Sequence, residues 1–280
     1  MSAKVGIRTE LARAKVNLTL HVGKLISEGR NKGYHPVDSL VVFADFGDRL
    51  SFMPTDTAAF DISGPFSEGL ADTSSNLVSQ ALSLTQAPPQ KIRLEKNIPV
   101  SAGLGGGSAN AAAVLRLFDS KHLVKGSDLG ADVPVCRLSQ TALMQGIGET
   151  VTPIPNLGQI HAVLVNPLIA VSTGVIFNAF DSFPRDIKPA ENAHKGSLLE
   201  RAIAGRNDLQ SVAIETAPVI TAVLSEISQQ PECELSRMSG SGASCFGLFK
   251  TEAAASSAAK AIEMTHPKWW VKACRLGEPL

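Results

Sequence analysis

The sequence has little of what would point to a nucleic-acid, membrane or secreted protein. Its 26 basic and 26 acidic residues leave a formal net charge of zero, so nothing favours a nucleic-acid groove or an anionic membrane surface. No uninterrupted apolar stretch is long enough to span a bilayer, and the N-terminal segment lacks the apolar core of a signal peptide. We therefore expect a cytoplasmic protein with neither kind of partner, in which local charges meet any acidic ligand.

Cysteine and tyrosine are also scarce. The four cysteines form no C-x-x-C pair and have no histidine at zinc-like spacing, which predicts buried thiols in a reducing compartment and no metal site built by the protein. Tyr34 is the single tyrosine, so any role for that residue type falls on one position.

Glycine, in contrast, is concentrated in one stretch. Residues 96–118 read KNIPVSAGLGGGSANAAAVLRLF, in which closely spaced glycines lead into an alanine-rich apolar run. This pattern predicts a glycine loop that feeds a helix, with Ser108 suited to be the N-cap. Bare loop amides and the positive end of a helix dipole favour an anion, most naturally phosphate. A tight connection that binds nothing is the alternative.

The same loop excludes some nucleotide-binding folds. It has no G-K-[ST] ending, so it is not a Walker-type loop, and its spacing gives only weak support to a dinucleotide fold.

Alternation and turn residues predict the remaining elements. Residues 9–22, TELARAKVNLTLHV, alternate as in a half-buried strand, with Lys15 and Asn17 on the outer face, where solvated decoration is the simplest reading. Asn76 stands where the N-cap of a helix would stand. Further strands are predicted at 37–44, 48–53, 60–63, 91–96 and 161–165, with an edge strand at 269–273. Helices are predicted at 76–84, 171–180, 198–204, 212–228 and 250–262, and a loose polar segment at 184–196.

Two further motifs carry chemistry-bearing residues. L-G-A-D-V-P at 129–134 holds Asp132 in a turn or a helix start, where a carboxylate is often only a cap. M-S-G-S-G-A-S at 238–244 repeats the glycine theme before an apolar strand.

Together these motifs resemble those of the GHMP kinase superfamily. PVSAGLGGGSANAA is similar to its second motif, A-K-x-N-L at 14–18 to its first, and S-G-S-G-A-S at 239–244 to its third. G-Y-H at 33–35 and the L-G-A-D-V-P segment are most similar to the branch whose acceptor is a cytidine-diphosphate-linked methylerythritol. The resemblance covers nearly the whole chain.

The resemblance implies an α+β protein with the two-domain GHMP kinase fold. It predicts a ribosomal protein S5 domain 2-like ATP-binding domain at 1–152 and a ferredoxin-like substrate-binding domain at 153–280, with two prolines between 152 and 155 at the boundary. The implied reaction is ATP-dependent phosphorylation of the acceptor's 2-hydroxyl in non-mevalonate isoprenoid synthesis. ATP is the expected cofactor, with Mg²⁺ as its counter-ion, and the expected state is a monomer or a weak homodimer.

The resemblance also implies the site residues. Asp132 would be the catalytic base, and Lys15 would orient it and stabilise charge. The implied ATP site consists of Asn76, Lys96, Pro99, Gly103, Leu104, Gly105, Gly106, Gly107 and Ser108. The implied substrate site consists of Asn17, Tyr34, His35, Thr173, Phe177, Gly240 and Gly242. In it Tyr34 and Phe177 stack on cytosine and His35 bonds to it, and the third motif faces the second across the cleft.

Two alternatives stay open. In the first alternative the acceptor is another small alcohol, such as homoserine or mevalonate. That acceptor would need no role for Tyr34, His35 and Phe177. Otherwise the chain is a non-catalytic nucleotide-binding relative. The second alternative rests on the segment between Asn110 and Asp132, which is shorter than in most relatives, and on alanine at 109 where relatives often have serine.

Overall fold

The computed structural model describes residues 6–70, 74–182 and 195–278. The strands are β1 (Arg8–Asn17), β2 (His21–Val22), β3 (Val37–Pro54), β4 (Ala59–Ser63), β5 (Gln90–Glu95), β6 (Ala142–Gly146), β7 (Thr150–Pro153), β8 (Gln159–Asn166), β9 (Cys233–Met238), β10 (Cys245–Phe249) and β11 (Trp270–Gly277). The helices are α1 (Leu77–Thr85), α2 (Gly106–Phe118), α3 (Val133–Leu138), α4 (Thr173–Asp181), α5 (Leu198–Ala204), α6 (Gln210–Thr216), α7 (Val219–Ser228) and α8 (Glu252–Thr265), with a 3-10 turn at Gly126–Asp128. None of these helices is long and apolar enough to cross a bilayer.

One mixed sheet connects the strands. Its order is β4-β5-β3-β11-β8-β10-β9, and β1, β2 and β6 also pair with β3. β4 and β5 are parallel, whereas the other strand pairs are antiparallel. The strands of the first and second halves of the chain meet where Ala44 of β3 lies opposite Leu276 of β11.

Strand β1 is buried on both faces. Lys15 and Asn17 are 3% and 1% exposed, so the prediction of a half-buried strand with a solvated outer face is wrong. The glycine loop and α3 cover the Lys15 side, and an apolar core covers the other side. The strand also ends at Asn17, before β2 begins, rather than continuing to Val22.

Strand β3 is one long element where the sequence predicted two strands. Gly47 lies in its middle, and a Cβ at this glycine would overlap the carbonyl oxygen of Ala12 on β1. The β1–β3 register shifts between Arg13 and Lys15, so the polar residues near Gly47 accompany an irregularity in the pairing and not a turn.

Two predictions about the second half are wrong. Strand β11 lies between β3 and β8, so it is central and not an edge strand. The helix predicted at 212–228 is split into α6 and α7 at Pro218, because proline cannot donate the backbone hydrogen bond that a helix interior requires. Most of the polar segment predicted at 184–196 lies outside the described residues.

Helix α2 lies at the centre of the first half. Its alanines at 109 and 111–113 are at most 2% exposed and belong to the core that also holds Phe43 and Phe52 of β3. Small side chains let the helix pack closely on its neighbours, and this packing holds its N-terminus at the wall of a large cavity.

Candidate active site

A cavity of about 900 Å³ opens beside the N-terminus of α2. Most of the predicted site residues line it: Lys15, Asn17, Asn76, Lys96, Pro99, Gly103, Gly105, Gly106, Gly107, Ser108, Asp132, Thr173, Phe177 and Gly240. Four others, Leu104, Tyr34, His35 and Gly242, are not part of its lining.

The first backbone amides of α2 lie at the cavity wall, and none of them bonds a described residue. Gly105 caps α2 with a φ of 63°, a left-handed conformation that suits glycine, so the prediction that Ser108 is the N-cap is wrong. Ser108 is the third helical residue. The Ala109 amide donates the first helical hydrogen bond, to Gly105 at 2.8 Å, so the amides of 106–108 precede the helical ladder. Free amides at the positive end of a helix dipole are the arrangement that favours an anion.

The loop is tied directly to the strand that carries Lys15. The Lys15 amide donates to the Leu104 carbonyl at 2.9 Å, and the Leu104 side chain is fully buried. Leu104 therefore anchors the loop instead of lining the cavity. A Cβ at Gly105 would lie 3.2 Å from the Cβ of Lys15, so the bare backbone lets loop and lysine approach closely.

Lys15 and Asp132 form an ion pair at the cavity wall. The Lys15 ammonium is 2.7 Å from the Asp132 carboxylate, and the lysine side chain is almost fully buried whereas the aspartate is 31% exposed. Asp132 stands at the N-cap position of α3 but accepts no capping hydrogen bond there. Its carboxylate is therefore available to a ligand, and the reading of Asp132 as a simple cap is wrong.

The Cys136 thiol lies beside this pair and is unreactive at neutral pH. Cys136 is buried on α3, and burial raises the pKa of its thiol to about 12, with the nearby Asp132 carboxylate adding to the shift. At neutral pH the thiol is therefore uncharged and does not compete with Asp132 as a base. All four cysteines are free, as the sequence predicts, although Cys233 is only partly buried.

The second and third motifs touch each other. The Ser239 hydroxyl accepts from the Asn17 amide at 3.1 Å and donates to the Gly103 carbonyl at 3.0 Å. The Ser244 amide donates to the Ala102 carbonyl at 3.2 Å. The expectation that these loops face each other across the cleft is therefore wrong, because they form one continuous wall.

Of the third motif, only part reaches the cavity. Gly240 and Ser241 line it, and the Ser241 hydroxyl lies 2.9 Å from that of Thr173 at the start of α4. Gly242 lies behind them, where a Cβ would stand 2.8 Å from the sulfur of Met238. The side-chain amide of Asn207 holds this loop by donating to the carbonyls of Met238 and Gly240.

An ion pair between Asp48 and Lys96 was not predicted. The Asp48 carboxylate is fully buried, bonds the Lys96 ammonium, and accepts the amides of Asn97 at 2.7 Å and Ile98 at 2.9 Å. The Lys96 nitrogen is 2.9 Å from the position of a Cβ on Gly106, so this ammonium faces the first turn of α2. No local pattern in the sequence distinguishes Asp48 from other polar strand residues.

The residues predicted to bind cytosine are only partly brought together. Phe177 lines the cavity, and the nearly buried His35 ring packs on it with centroids 5.4 Å apart. Tyr34 is 55% exposed and stands outside the cavity wall. No sequence pattern singles out Asp181, whose carboxylate lies 3.2 Å from His35 Nε2.

Asn76 caps α1, as predicted, and lines the cavity as well. Its side-chain oxygen accepts from the Val78 amide at 3.0 Å. Asn76→Ala is expected to lower the free energy of unfolding by about 1 kcal/mol, because the cap is lost, and to raise the KM for ATP. Thr251→Ala is the matched control, since the Thr251 side chain caps α8 by accepting from the Ala254 amide and is not part of the cavity lining. If the two variants have equal KM values for ATP, Asn76 only caps the helix and does not contact ATP.

Two family models and many curated relatives match this chain. The model of the GHMP kinases N terminal domain matches residues 75–144, and the model of the GHMP kinases C terminal matches residues 189–266. A curated 4-diphosphocytidyl-2-C-methyl-D-erythritol kinase from Dinoroseobacter shibae is 44% identical over 93% of this chain and 92% of its own length. The kinase of the same name from Caulobacter vibrioides is 38% identical over 99% of this chain and 100% of its own length.

Solved structures match over nearly the whole chain. A crystal structure of 4-(cytidine 5'-diphospho)-2C-methyl-D-erythritol kinase has a TM-score of 0.78 at 30% identity and covers 97% of this chain and 100% of that one. Homoserine kinase from Cytophaga hutchinsonii, at a TM-score of 0.68 and 15% identity over 99% and 97%, shares the fold. The predicted α+β fold is thereby confirmed. The chain belongs to the GHMP kinases and, within them, to the family of the 4-diphosphocytidyl-2-C-methyl-D-erythritol kinases.

Proposed function

We propose that this chain transfers the γ-phosphate of ATP to the 2-hydroxyl of 4-diphosphocytidyl-2-C-methyl-D-erythritol, a step of non-mevalonate isoprenoid synthesis. One observation supports it above the others: the Lys15–Asp132 pair and the unused amides of 106–108 share one cavity. A base and an anion cradle within one cavity are what phosphoryl transfer to an alcohol requires.

Asp132 is the proposed base. Its carboxylate accepts the proton of the attacking hydroxyl, while the Lys15 ammonium at 2.7 Å holds that carboxylate in place and stabilises negative charge near the reacting oxygens. Phosphoryl transfer needs little covalent chemistry from the protein, so positioning and charge stabilisation supply most of the rate enhancement.

The nucleotide site is proposed along the glycine loop. The amides of 106–108 hold the phosphates, with the Lys96 ammonium beside them at the first turn of α2, and Asn76 and Pro99 contact the remainder of ATP. Within the described residues, no three side chains of histidine, cysteine, aspartate or glutamate gather into a metal cage. The oxygen donors in the lining, such as the Ser108 hydroxyl, fit a Mg²⁺ ion that arrives on ATP and keeps several waters. When bound, that ion neutralises phosphate charge.

The acceptor is proposed to lie between Asp132 and Phe177. The side-chain oxygen of Asn17 is buried and has no hydrogen-bond partner among the described residues, so it can accept from a hydroxyl of the acceptor. Thr173 and Gly240 border the same part of the wall, and Phe177 with His35 takes the cytosine. The exposed Tyr34 side chain has to rotate towards the cavity to stack on the cytosine.

Wider features of the protein are also proposals. We propose that residues 1–152 form the ATP-binding domain and residues 153–280 the substrate-binding domain. We further propose a cytoplasmic monomer or weak homodimer that acts on this small molecule and has no nucleic-acid or membrane partner.

The test is an acceptor-dependent release of ADP. The purified protein is given ATP with the cytidyl substrate, with homoserine or with mevalonate, and the phosphorylated product is identified by mass spectrometry. We expect product with the cytidyl substrate alone. Product only with another alcohol would move the chain to a different acceptor, and ATP binding without any product would make it a non-catalytic relative.

A further inference from the structure

The Asp48 carboxylate is fully buried and uses both of its oxygens. Oδ1 accepts the backbone amides of Asn97 at 2.7 Å and Ile98 at 2.9 Å, and Oδ2 accepts from the Lys96 ammonium. One side chain on β3 therefore holds three consecutive residues that follow β5. A carboxylate can make these bonds at the same time because it has about four lone-pair sites and carries no proton.

The first turn of α2 lies against two of these three residues. A Cβ at Gly106, the first residue of the helix, would stand 2.9 Å from the Lys96 nitrogen and 3.4 Å from Cγ2 of Ile98. Glycine at this position lets the ammonium lie close to the helix end. Lys96 lines the cavity, whereas Asp48 is not part of the lining. Asp48 can therefore influence the anion site only through the residues that it holds.

The Lys96 ammonium adds charge at the positive end of the α2 dipole. It lies beside the amides of 106–108, which bond no described residue. Two positive centres repel each other unless an anion lies near both, and a buried ammonium needs a counter-ion. The Asp48 carboxylate is that counter-ion on the protein side, and a ligand phosphate would approach from the cavity side. Lys15, which also lines the cavity, already has Asp132 as its partner.

We propose that Asp48 is a positioning residue for the triphosphate of ATP. It holds the Lys96 ammonium at the first turn of α2, so that the ammonium and the helix amides bind the same phosphate group. This inference rests on the proposed function, since it concerns the nucleotide site of that reaction. The competing explanation is that the ion pair only joins β3 to the end of β5, its neighbour in the sheet.

The experiment compares the affinities of ATP and adenosine, which share the base and the ribose and differ in the phosphates. Each ligand displaces a fluorescent trinitrophenyl analogue of ATP in the presence of Mg²⁺, so no turnover is needed. In Asp48→Asn the side-chain oxygen can still accept the two amides, but its NH₂ group meets the Lys96 ammonium as a second donor and displaces it. The ATP affinity should fall about tenfold to a hundredfold, and the adenosine affinity should stay within about twofold of wild type.

Lys96→Met tests whether Asp48 acts through the ammonium. This variant should lower the ratio of ATP affinity to adenosine affinity by a similar factor. Asp48→Asn combined with Lys96→Met should have a ratio no lower than that of Lys96→Met alone, because both changes remove the same contact. An unchanged ratio in Lys96→Met overturns the inference, even if Asp48→Asn does not fold.

The matched control is Asp119→Asn at the opposite end of α2. The Asp119 carboxylate is also buried, and it accepts the amides of Leu123 and Val124 at 2.9 Å each. It pairs with Arg137 and is not part of the cavity lining, so its loss should lower the free energy of unfolding and leave the affinity ratio unchanged. If Asp48→Asn is destabilised yet keeps the wild-type ratio, the pair only joins two strands and the inference fails. If wild type binds neither ligand and does not phosphorylate the cytidyl substrate, the proposed function itself fails.

Discussion

Replacing Asp132 with asparagine is expected to lower kcat about 10²- to 10⁴-fold and to leave the KM for ATP close to that of wild type. An amide cannot accept the hydroxyl proton, whereas it keeps the size of the carboxylate and so preserves the cavity. Lys15 also loses the counter-ion that stands 2.7 Å away, but the amides of the glycine loop are unchanged. Steady-state release of ADP, measured against both substrates, separates the two constants.

The control for this variant is Asp128→Asn. Asp128 is an exposed carboxylate in the 3-10 turn of the same segment and is not part of the cavity lining, so its loss should change neither constant. Lys15→Met combined with Asp132→Asn should be little worse than the slower single variant, because the two residues act as a unit. Full kcat in Asp132→Asn would remove the base from the mechanism.

Asp48→Ala is expected to lower the free energy of unfolding by about 3–5 kcal/mol. The substitution leaves the Lys96 ammonium buried without its counter-ion and removes the acceptor of the Asn97 and Ile98 amides. Removing one partner of a buried ion pair is costly because the other charge remains desolvated. Urea unfolding followed by circular dichroism measures the change.

A second substitution tests the cause. Adding Lys96→Met to Asp48→Ala should recover part of the lost stability, since no unpaired charge remains, and the two effects should be clearly non-additive. Asp61→Ala breaks an exposed pair with Arg93 and should cost about 1 kcal/mol or less. If the two substitutions at Asp48 and Lys96 prove additive, the buried pair is not the source of the effect.

The sequence predicted well where one short segment carries both structure and chemistry. The glycine loop and the segment before α3 each place their residues by local pattern, and Lys15, Asp132 and the loop amides do share one cavity. Contacts between distant segments were not visible. Asp48 and Lys96 are 48 residues apart, and Asp181 lies 146 residues from His35 (181 − 35), so no local spacing linked either pair.

The wrong predictions about the fold also come from contacts between distant segments. Whether a strand such as β11 is central or at an edge depends on partners elsewhere in the chain, and its own residues do not say which. The burial of Lys15 likewise follows from a loop and a helix that arrive much later in the sequence. The N-cap of α2 is Gly105 and not Ser108, because a left-handed glycine can begin a helix without a side-chain cap.

The Ser239 hydroxyl has a consequence for the order in which the protein becomes functional. It bonds Asn17 and Gly103, although it is made long after both during synthesis from the N-terminus. A growing chain that already holds Lys15, Asp132 and the glycine loop still lacks this support. We therefore expect the glycine loop of a nascent chain to reach its final support only once β9, β10 and the segment between them have folded.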